Sequence, residues 1–180
     1  MNDALLVVDA INEFEHEDAD QLLASFRKRA GGLRDALERA RADGIPVVYV
    51  NDDYGRHDGD APGLVRRAVE GRGGDVIEPI APREGEPFLL KMRYSAFDHT
   101  MLELVLEDLG VERVLLVGGA TEACIVQTGI DARELGLKVT ILSGACASVD
   151  EQVEQVALHY AEEVAGIFVA SDYAAAIMHR

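Results

Sequence analysis

One stretch, residues 114–135, constrains the fold more than any other. A continuous apolar run, a glycine-rich turn and a helix-like segment follow one another there. Thr121 is a suitable N-cap for that helix, which would place Cys124 in the first turn. Free backbone N–H groups and the helix dipole favour a thiolate at such a position. A small buried cysteine in an α/β core is the alternative, and position alone does not decide between the two.

Short apolar runs alternate with helix-like segments along the whole chain. The runs that predict strands are residues 4–8, 45–50, 88–90, 114–117, 138–142 and 167–169. The segments that predict helices are residues 21–42, 64–69, 100–109, 125–135, 149–164 and 171–178. This alternation predicts an α/β fold with three layers, α-β-α, around a mostly parallel sheet of about six strands, in one domain over residues 1–180. Gly31 and Gly32 predict a kink in the first helix, and Ser148 predicts the cap of the helix at 149–164.

Charge and composition argue against several classes of function. The chain has 33 acidic and 17 basic residues and a net charge of −16, so nucleic acids and anionic membranes are not expected partners. No basic and apolar leader is found and no apolar run is long enough to span a membrane, so a cytoplasmic location is expected. Cys124 and Cys146 have no framework spacing, so both are expected to be reduced thiols.

Three chemically different side chains stand where predicted strands end. Asp9 follows the first strand, Lys91 follows the strand at 88–90, and Cys124 follows the central strand and its turn. Ligands in parallel α/β folds lie beyond the carboxyl ends of the strands, so these side chains are expected to meet there. A thiol, a carboxylate and an ammonium suit nucleophilic attack on a carbonyl group. Each residue alone is more simply a cap or a surface charge, but the three together favour a catalytic site.

The sequence also resembles a known family, the isochorismatase-like cysteine hydrolases. This superfamily includes nicotinamidases, N-carbamoylsarcosine amidohydrolase, ureidoacrylate amidohydrolase and the isochorismatases. The resemblance extends from Leu5 to about Phe168, and its landmarks are residues 6–9 with 12–14, 48–52, 91–97 and 118–125. It implies a catalytic triad of Asp9, Lys91 and Cys124. It also implies a cis peptide at Gly119-Ala120, which would direct the N–H groups of Ala120 and Cys124 at an oxyanion.

Departures from the family pattern bear on metal and substrate. Metal-binding nicotinamidases place an Asp and a His two residues apart after the second strand. In this chain Asp52 matches the Asp, Tyr54 replaces the His, and His57 is the only histidine nearby. No catalytic metal and no cofactor are therefore expected, and nicotinamide is a doubtful substrate. Glu122 replaces the Asp that usually precedes the cysteine, and the presence of Cys124 favours amide hydrolysis, because true isochorismatases typically lack it.

Five residues are expected to contact the substrate on the basis of this resemblance. They are Phe14, Asn51, Tyr54, Tyr94 and Phe97. The loops at 51–63 and 83–87 are expected to set specificity. His16 lies in a charged loop and carries no functional signal, and Cys146 is expected to be structural.

The predicted function is hydrolysis of a C–N bond in a small amide, carbamoyl or ureido compound through a thioester on Cys124. The alternatives are hydrolysis of an isochorismate-like vinyl ether and a non-catalytic small-molecule-binding protein on the same fold. A nucleotide-binding domain is disfavoured because GxGxxG and GxxxxGK[ST] are absent. A haloacid-type phosphatase would need an Asp where Ile11 stands. The family resemblance also implies a homo-oligomer, either a dimer or a tetramer.

Overall fold

The structure is a computed structural model that describes residues 2–179, and a six-stranded parallel sheet forms its centre. The strands are β1 (Asp3–Val8), β2 (Val47–Asp52), β3 (Phe88–Lys91), β4 (Arg113–Gly119), β5 (Lys138–Ala147) and β6 (Phe168–Ala170). Their order across the sheet is β3-β2-β1-β4-β5-β6, and each neighbouring pair is parallel. The predicted strands therefore all exist, with ends shifted by one to five residues.

Helices cover both faces of the sheet and give the predicted three layers. They are α1 (Ala19–Ala42), α2 (Ala61–Glu70), α3 (Gly74–Ile77), α4 (Leu102–Asp108), α5 (Val126–Glu134), α6 (Glu151–Glu163) and α7 (Tyr173–Met178). A short 3-10 turn, Glu78–Ile80, follows α3. One core packs α1, α2, α3 and α7 against the sheet, and the other packs α4, α5 and α6 against its opposite face.

Strand β1 shows how the sequence divides between the two cores. Leu5 and Val7 belong to the core under α1, whereas Leu6 and Val8 belong to the core under α5. Every residue of β1 is buried, because a strand covered on both faces places alternate side chains in opposite layers. This is why the run is apolar throughout and does not alternate.

Helix α1 is continuous through the two glycines that predicted a kink. Gly32 is required there by a close approach to β5, since a Cβ atom at this position would lie 2.2 Å from the carbonyl oxygen of Gly144. The expected cap of α6 is also wrong. Asp150, not Ser148, accepts the N–H groups of Gln152 and Val153, while the Ser148 hydroxyl donates to the Asp150 carbonyl oxygen.

The winding of the chain reverses between β1 and β4. From β1 the chain continues outward to β2 and β3, and from β4 it continues outward in the other direction to β5 and β6. In open parallel sheets this reversal leaves a crevice beyond the carboxyl ends of the two central strands. Within residues 2–179, no helix is both long and apolar enough to cross a lipid bilayer.

Candidate active site

Asp9, Lys91 and Cys124 meet at the crevice between β1 and β4. The ammonium Nζ of Lys91 lies 2.7 Å from Oδ2 of Asp9 and 3.5 Å from Sγ of Cys124. Cys124 lies close enough to Asp9 for each of the two groups to shift the pKa of the other. The Lys91 side chain has no exposed surface, so the charges act in a medium of low dielectric constant, where they interact more strongly than in water. The three predicted side chains therefore form one connected group.

The backbone positions the carboxylate of Asp9 from two sides. Asp9 directly follows β1 with φ 50°, a left-handed conformation that is uncommon for a residue with a side chain. Its Oδ1 accepts the backbone N–H of Asp52, at the end of β2, at 2.6 Å. Lys91, the last residue of β3, holds the other oxygen and also donates to the Arg93 carbonyl oxygen at 2.8 Å. The ends of three strands thus fix the orientation of one carboxylate.

Cys124 lies in a π-helical turn, Thr121–Ile125, that precedes α5. The peptide bond between Gly119 and Ala120 is cis. The expected N-cap is wrong, because the Thr121 hydroxyl points away from the free N–H groups of the turn. Its oxygen lies 3.0 Å from the Ala147 carbonyl oxygen and 2.9 Å from Oε1 of Glu154. Thr121 therefore ties the turn to β5 and α6.

Gly118 allows the turn to pass close to β1. A Cβ atom at Gly118 would lie 1.9 Å from the carbonyl oxygen of Val8, and the residue has φ +124°. Any side chain here would separate β4 from β1, and with it Cys124 from Asp9. The glycine is thus a requirement of the site geometry.

Burial of Cys124 opposes ionisation of its thiol. Burial, and then the negative charge of Asp9, raise the pKa of Cys124 well above its usual range, although Lys91 opposes this. Burial also raises the pKa of Asp9, against the lowering effect of Lys91. For Lys91 the lowering effect of burial is outweighed by the raising effects of its neighbours, of which the negative charge of Asp9 is the largest, so its pKa is raised. Desolvation therefore works against the thiolate that the helix dipole was expected to favour.

A cavity of about 220 Å³ opens onto these groups. It is lined by Asp9, Asn12, His16, Leu22, Asp52, Tyr54, Gly119, Ala120 and Cys124. A volume of this size would hold about seven water molecules at their liquid volume of roughly 30 Å³ each. A second cavity of about 400 Å³ continues outward and shares Asn12, His16 and Tyr54 with the first. The inner cavity therefore has the volume of a small molecule and adjoins a larger outer cavity.

Tyr54 is the only one of the five expected substrate contacts that lines this cavity in the described part of the chain. Its hydroxyl lies 3.3 Å from the Ile11 carbonyl oxygen, and burial followed by the charge of Asp9 raises its pKa well above the usual range. Tyr54 is therefore a neutral hydrogen-bonding group beside the thiol.

Phe14 and Asn51 are placed in the core instead. Phe14 is buried and packs edge-on against Phe26, with 5.8 Å between ring centroids. Asn51 is also buried, and its amide exchanges two hydrogen bonds with the backbone of Ile11, at 3.0 and 2.9 Å. Both residues shape the loop after β1, so they support the site without lining the cavity.

Tyr94 and Phe97 also lie away from the cavity. Tyr94 is 67% exposed, and Phe97 lines a separate cavity of about 80 Å³ between α4 and α5. The loop at 83–87 precedes β3 and so lies at the amino edge of the sheet, opposite the site. Its Glu86 pairs there with Arg41 at 2.7 Å. The loop at 51–63 alone remains next to the cavity.

His16 and Asn12 are cavity residues that the sequence did not identify. Nε2 of His16 lies 3.3 Å from Nδ2 of Asn12, and both residues border the inner and outer cavities. Asn12 lies in the segment 12–14 that carries part of the family resemblance, so the sequence did contain a signal for its presence at the site. His16 has no such signal, because an exposed histidine among acidic residues is ordinary in sequence.

The candidate metal ligands Asp52 and His57 do not converge on one site. Nδ1 of His57 pairs with Oδ2 of Asp53 at 3.1 Å, and the His57 side chain is largely exposed. No group of three or more His, Cys, Asp or Glu side chains within residues 2–179 is arranged to hold a metal ion.

Both cysteines are free, as predicted, and Cys146 is fully buried with Sγ 3.6 Å from the Leu116 carbonyl oxygen.

Comparison with known proteins gives a consistent family match. A family model of the isochorismatase domain matches residues 3–172. An uncharacterized isochorismatase family protein of Bacillus subtilis strain 168, YaaI, is 32% identical over 161 residues, which is 89% of each chain. Ureidoacrylate amidohydrolase RutB of Serratia proteamaculans strain 568 is 27% identical over 184 residues, covering 87% of this chain and 74% of the relative.

Solved structures give the same result for the fold. The crystal structure of N-carbamoylsarcosine amidase from Thermoplasma acidophilum has a TM-score of 0.71 and 31% sequence identity to this chain. The match covers 94% of this chain and 95% of that one. The parallel sheet with helices on both faces is therefore the architecture of this group of structures.

Proposed function

Because this chain belongs to the isochorismatase family, we propose that it is a cysteine hydrolase acting on a C–N bond of a small amide, carbamoyl or ureido compound. Two similar proteins are named for such reactions, ureidoacrylate amidohydrolase and N-carbamoylsarcosine amidase. The inner cavity, with room for about seven waters, suits the amide or carbamoyl end of a substrate of this size.

A single observation supports the proposal most strongly. One buried ammonium, on Lys91, lies within 2.7 Å of a carboxylate and 3.5 Å of a thiol, and the residues that carry the carboxylate and the thiol, Asp9 and Cys124, line one cavity. A nucleophile, a base and a cation that orients both are the parts that acyl transfer requires.

Acylation begins with the thiol protonated. Cys124 Sγ attacks the substrate carbonyl carbon while its proton passes to Asp9, which the Lys91 ammonium holds beside the thiol. The raised pKa of Asp9 makes this carboxylate a better proton acceptor than an exposed aspartate. The backbone N–H groups of Ala120 and Cys124 receive the developing oxyanion. The proton on Asp9 then passes to the departing nitrogen, the C–N bond breaks, and a thioester on Cys124 remains.

Deacylation uses the same groups in reverse. Asp9, again ionised, takes a proton from a water molecule as that water attacks the thioester carbonyl carbon. The C–S bond breaks, the sulfur regains the proton from Asp9, and the acid product leaves. Lys91 keeps its proton throughout, since the two neighbouring groups raise its pKa, and it holds Asp9 in place for both half-reactions.

The test is ammonia release from a panel of small amides, carbamoyl compounds and ureides. Native protein is compared with Cys124→Ala, and Cys146→Ala is the matched control because that thiol is buried in the core. We expect turnover by the native protein and the control, with a loss of about 10⁴-fold or more in Cys124→Ala.

Three outcomes would contradict the proposal. Full activity of Cys124→Ala would exclude the thioester mechanism. Silence of the native protein on the whole panel, together with cleavage of a vinyl ether such as isochorismate, would assign the other reaction of the family. Silence on both, with a Cys124 that resists alkylation at every pH tested, would indicate a protein that binds a small molecule without catalysis.

A further inference from the structure

A cavity of about 410 Å³ lies at the amino edge of the sheet, opposite the site of Cys124. Its floor includes the first residues of three adjacent strands, Arg113 of β4, Lys138 of β5 and Phe168 of β6. Arg113 and Lys138 are paired in register across the sheet. Because β4 is seven residues long, the cavity and the catalytic turn are about 20 Å apart at roughly 3.3 Å per residue.

The wall of this cavity is cationic, and no carboxylate of a described residue lines it. Arg113, Arg133 and Lys138 supply the charge, and the other lining residues are Val139, Thr140, Gly166, Phe168, Met178 and His179. Arg113 is neutralised by Asp3, which it binds through two nitrogens at 3.0 and 2.7 Å. Arg133 and Lys138 form no ion pair with any described residue, and Arg133 donates only one long hydrogen bond, to the Ala165 carbonyl oxygen at 3.4 Å. Two positive charges without a carboxylate partner among the described residues therefore share one concave surface.

This arrangement is unusual for a chain with a net charge of −16. Most of its other described cations have a carboxylate partner. The paired ones are Arg27, Lys28, Arg29, Arg34, Arg39, Arg41, Arg56, Arg67, Arg72, Lys91, Arg93 and Arg113. Besides Arg133 and Lys138, only Arg66 and Arg83 in the described chain lack such a partner, and neither lines this cavity. With acidic residues in excess, two cations without a partner in one cavity leave a place for an external anion.

The apolar part of the wall is equally defined. The rings of Phe168 and His179 stack with their centroids 3.9 Å apart and 25° between their planes. Val139 and Met178 lie beside them. An anion held by Arg133 and Lys138 would therefore have a flat aromatic surface next to it, suited to an attached organic group.

We propose that this cavity binds a small phosphate monoester, with the phosphate on Arg133 and Lys138 and the organic part against the Phe168–His179 stack. A phosphate monoester carries a charge of about −1.5 to −2 near neutral pH, which matches the two cations. The guanidinium of Arg133 offers paired donors for two phosphate oxygens, and Lys138 acts as a point charge. The site is separate from the catalytic crevice, so the proposal does not depend on the proposed hydrolase activity.

The experiment is isothermal titration of the full chain with inorganic phosphate, at an ionic strength held constant with sodium chloride. Native protein is compared with the double variant Arg133→Gln/Lys138→Met. The matched control, Arg66→Gln/Arg83→Gln, removes the same number of unpaired cations outside the cavity. We expect saturable binding in the native protein and the control, and affinity at least about tenfold weaker in the double variant, equivalent to about 1.4 kcal/mol.

The absence of saturable binding in native protein would overturn the proposal, and so would an equal loss in the control, which would indicate a general charge effect. Lys138→Met alone guards against misfolding, because this exposed side chain forms no ion pair with a described residue, and its circular dichroism spectrum should be native. Phenyl phosphate is the second probe. Tighter binding than inorganic phosphate is expected, and weaker binding would refute the placement of an organic group on the aromatic stack.

Discussion

Two buried carboxylate–cation pairs lie at opposite edges of the same sheet, and they differ in how their hydrogen-bonding groups are used. Asp3 and Arg113 face each other in register at the amino ends of β1 and β4, joined by two hydrogen bonds at 3.0 and 2.7 Å. Asp9 and Lys91 lie at the carboxyl edge, joined at 2.7 Å. All four side chains are buried or nearly so.

The difference lies in how many hydrogen-bonding positions each pair leaves for other groups. Arg113 uses Nε and one terminal nitrogen on Asp3 and the other on the Ala176 carbonyl oxygen, so its planar fork is committed to structure. Lys91 spreads its contacts over Asp9, the Arg93 carbonyl oxygen and Cys124. A bidentate pair locks the ends of two strands together, whereas a single contact leaves the Asp9 carboxylate able to accept the thiol proton.

Neutralising the two carboxylates is the sharpest test of this contrast. Asp9→Asn removes the proposed base, and kcat should fall about 10²- to 10⁴-fold in the ammonia assay. Asp3→Asn should leave kcat of the folded protein unchanged. It should lower the free energy of unfolding by about 3–5 kcal/mol, because Arg113 becomes an uncompensated buried charge. Urea titration measures the second effect, and a large kcat loss in Asp3→Asn would break the comparison.

Exchanging the two cations tests the geometry of each pair. Lys91→Arg places a planar fork beside Asp9, and we expect about a 10²-fold loss in kcat/KM as both carboxylate oxygens become occupied. Arg113→Lys keeps the charge but loses one hydrogen bond to a carboxylate, which should destabilise the fold by about 1.5–3 kcal/mol with activity retained. Activity of Lys91→Arg at the native level would show that a single contact on Asp9 is not required.

The pH profile of activity tests the protonation state of the Asp9–Lys91 pair. Burial raises the pKa of Asp9, so this carboxylate takes up a proton at a higher pH than an ordinary aspartate. The base is then lost as the pH falls through the raised value, and the acid limb of kcat/KM should have its midpoint above about 4. A midpoint at or below that of a free aspartate would be inconsistent with desolvation at Asp9.

Alkylation of Cys124 gives an independent measure of the same environment. Burial and Asp9 raise the pKa of this thiol, so its rate with iodoacetamide should still be rising at pH 9. In Asp9→Asn the negative charge is gone while Lys91 remains, and the rise should shift to lower pH. A plateau near neutral pH in the native protein would indicate a resting thiolate instead.

The smallest expected effect concerns His16, which borders the cavity beside the Asp9–Lys91 pair. His16→Ala removes a side chain at the junction of the inner and outer cavities. We expect KM to rise by a few-fold, on the order of the 0.5–1.5 kcal/mol net worth of one hydrogen bond, with kcat nearly unchanged. A tenfold fall in kcat at saturating substrate would place His16 in the chemistry itself.

Several mistaken predictions share one cause, which is a tertiary partner that sequence does not display. The hydroxyl of Thr121 has a capping position but lies against β5 and Glu154 instead. Phe14 and Asn51 lie in two of the segments that carry the family resemblance. Phe14 packs against Phe26 in the core, and the amide of Asn51 is hydrogen-bonded to the backbone of Ile11. The mistaken prediction for the loop at 83–87 has a different cause. A loop that precedes a parallel strand lies at the amino edge of the sheet, opposite the site.

By itself the sequence determined the alternation of strands and helices, and with it the six-stranded parallel sheet. It also placed Asp9, Lys91 and Cys124 at strand ends, because apolar runs and the residues that stop them are local patterns. Tertiary structure alone decided which buried ion pair borders a cavity and that burial raises the pKa of the Cys124 thiol. It also brought Arg133, Lys138 and His179 from separate elements into one cavity. Desolvation and distance act between residues far apart in the chain, so only the folded arrangement sets them.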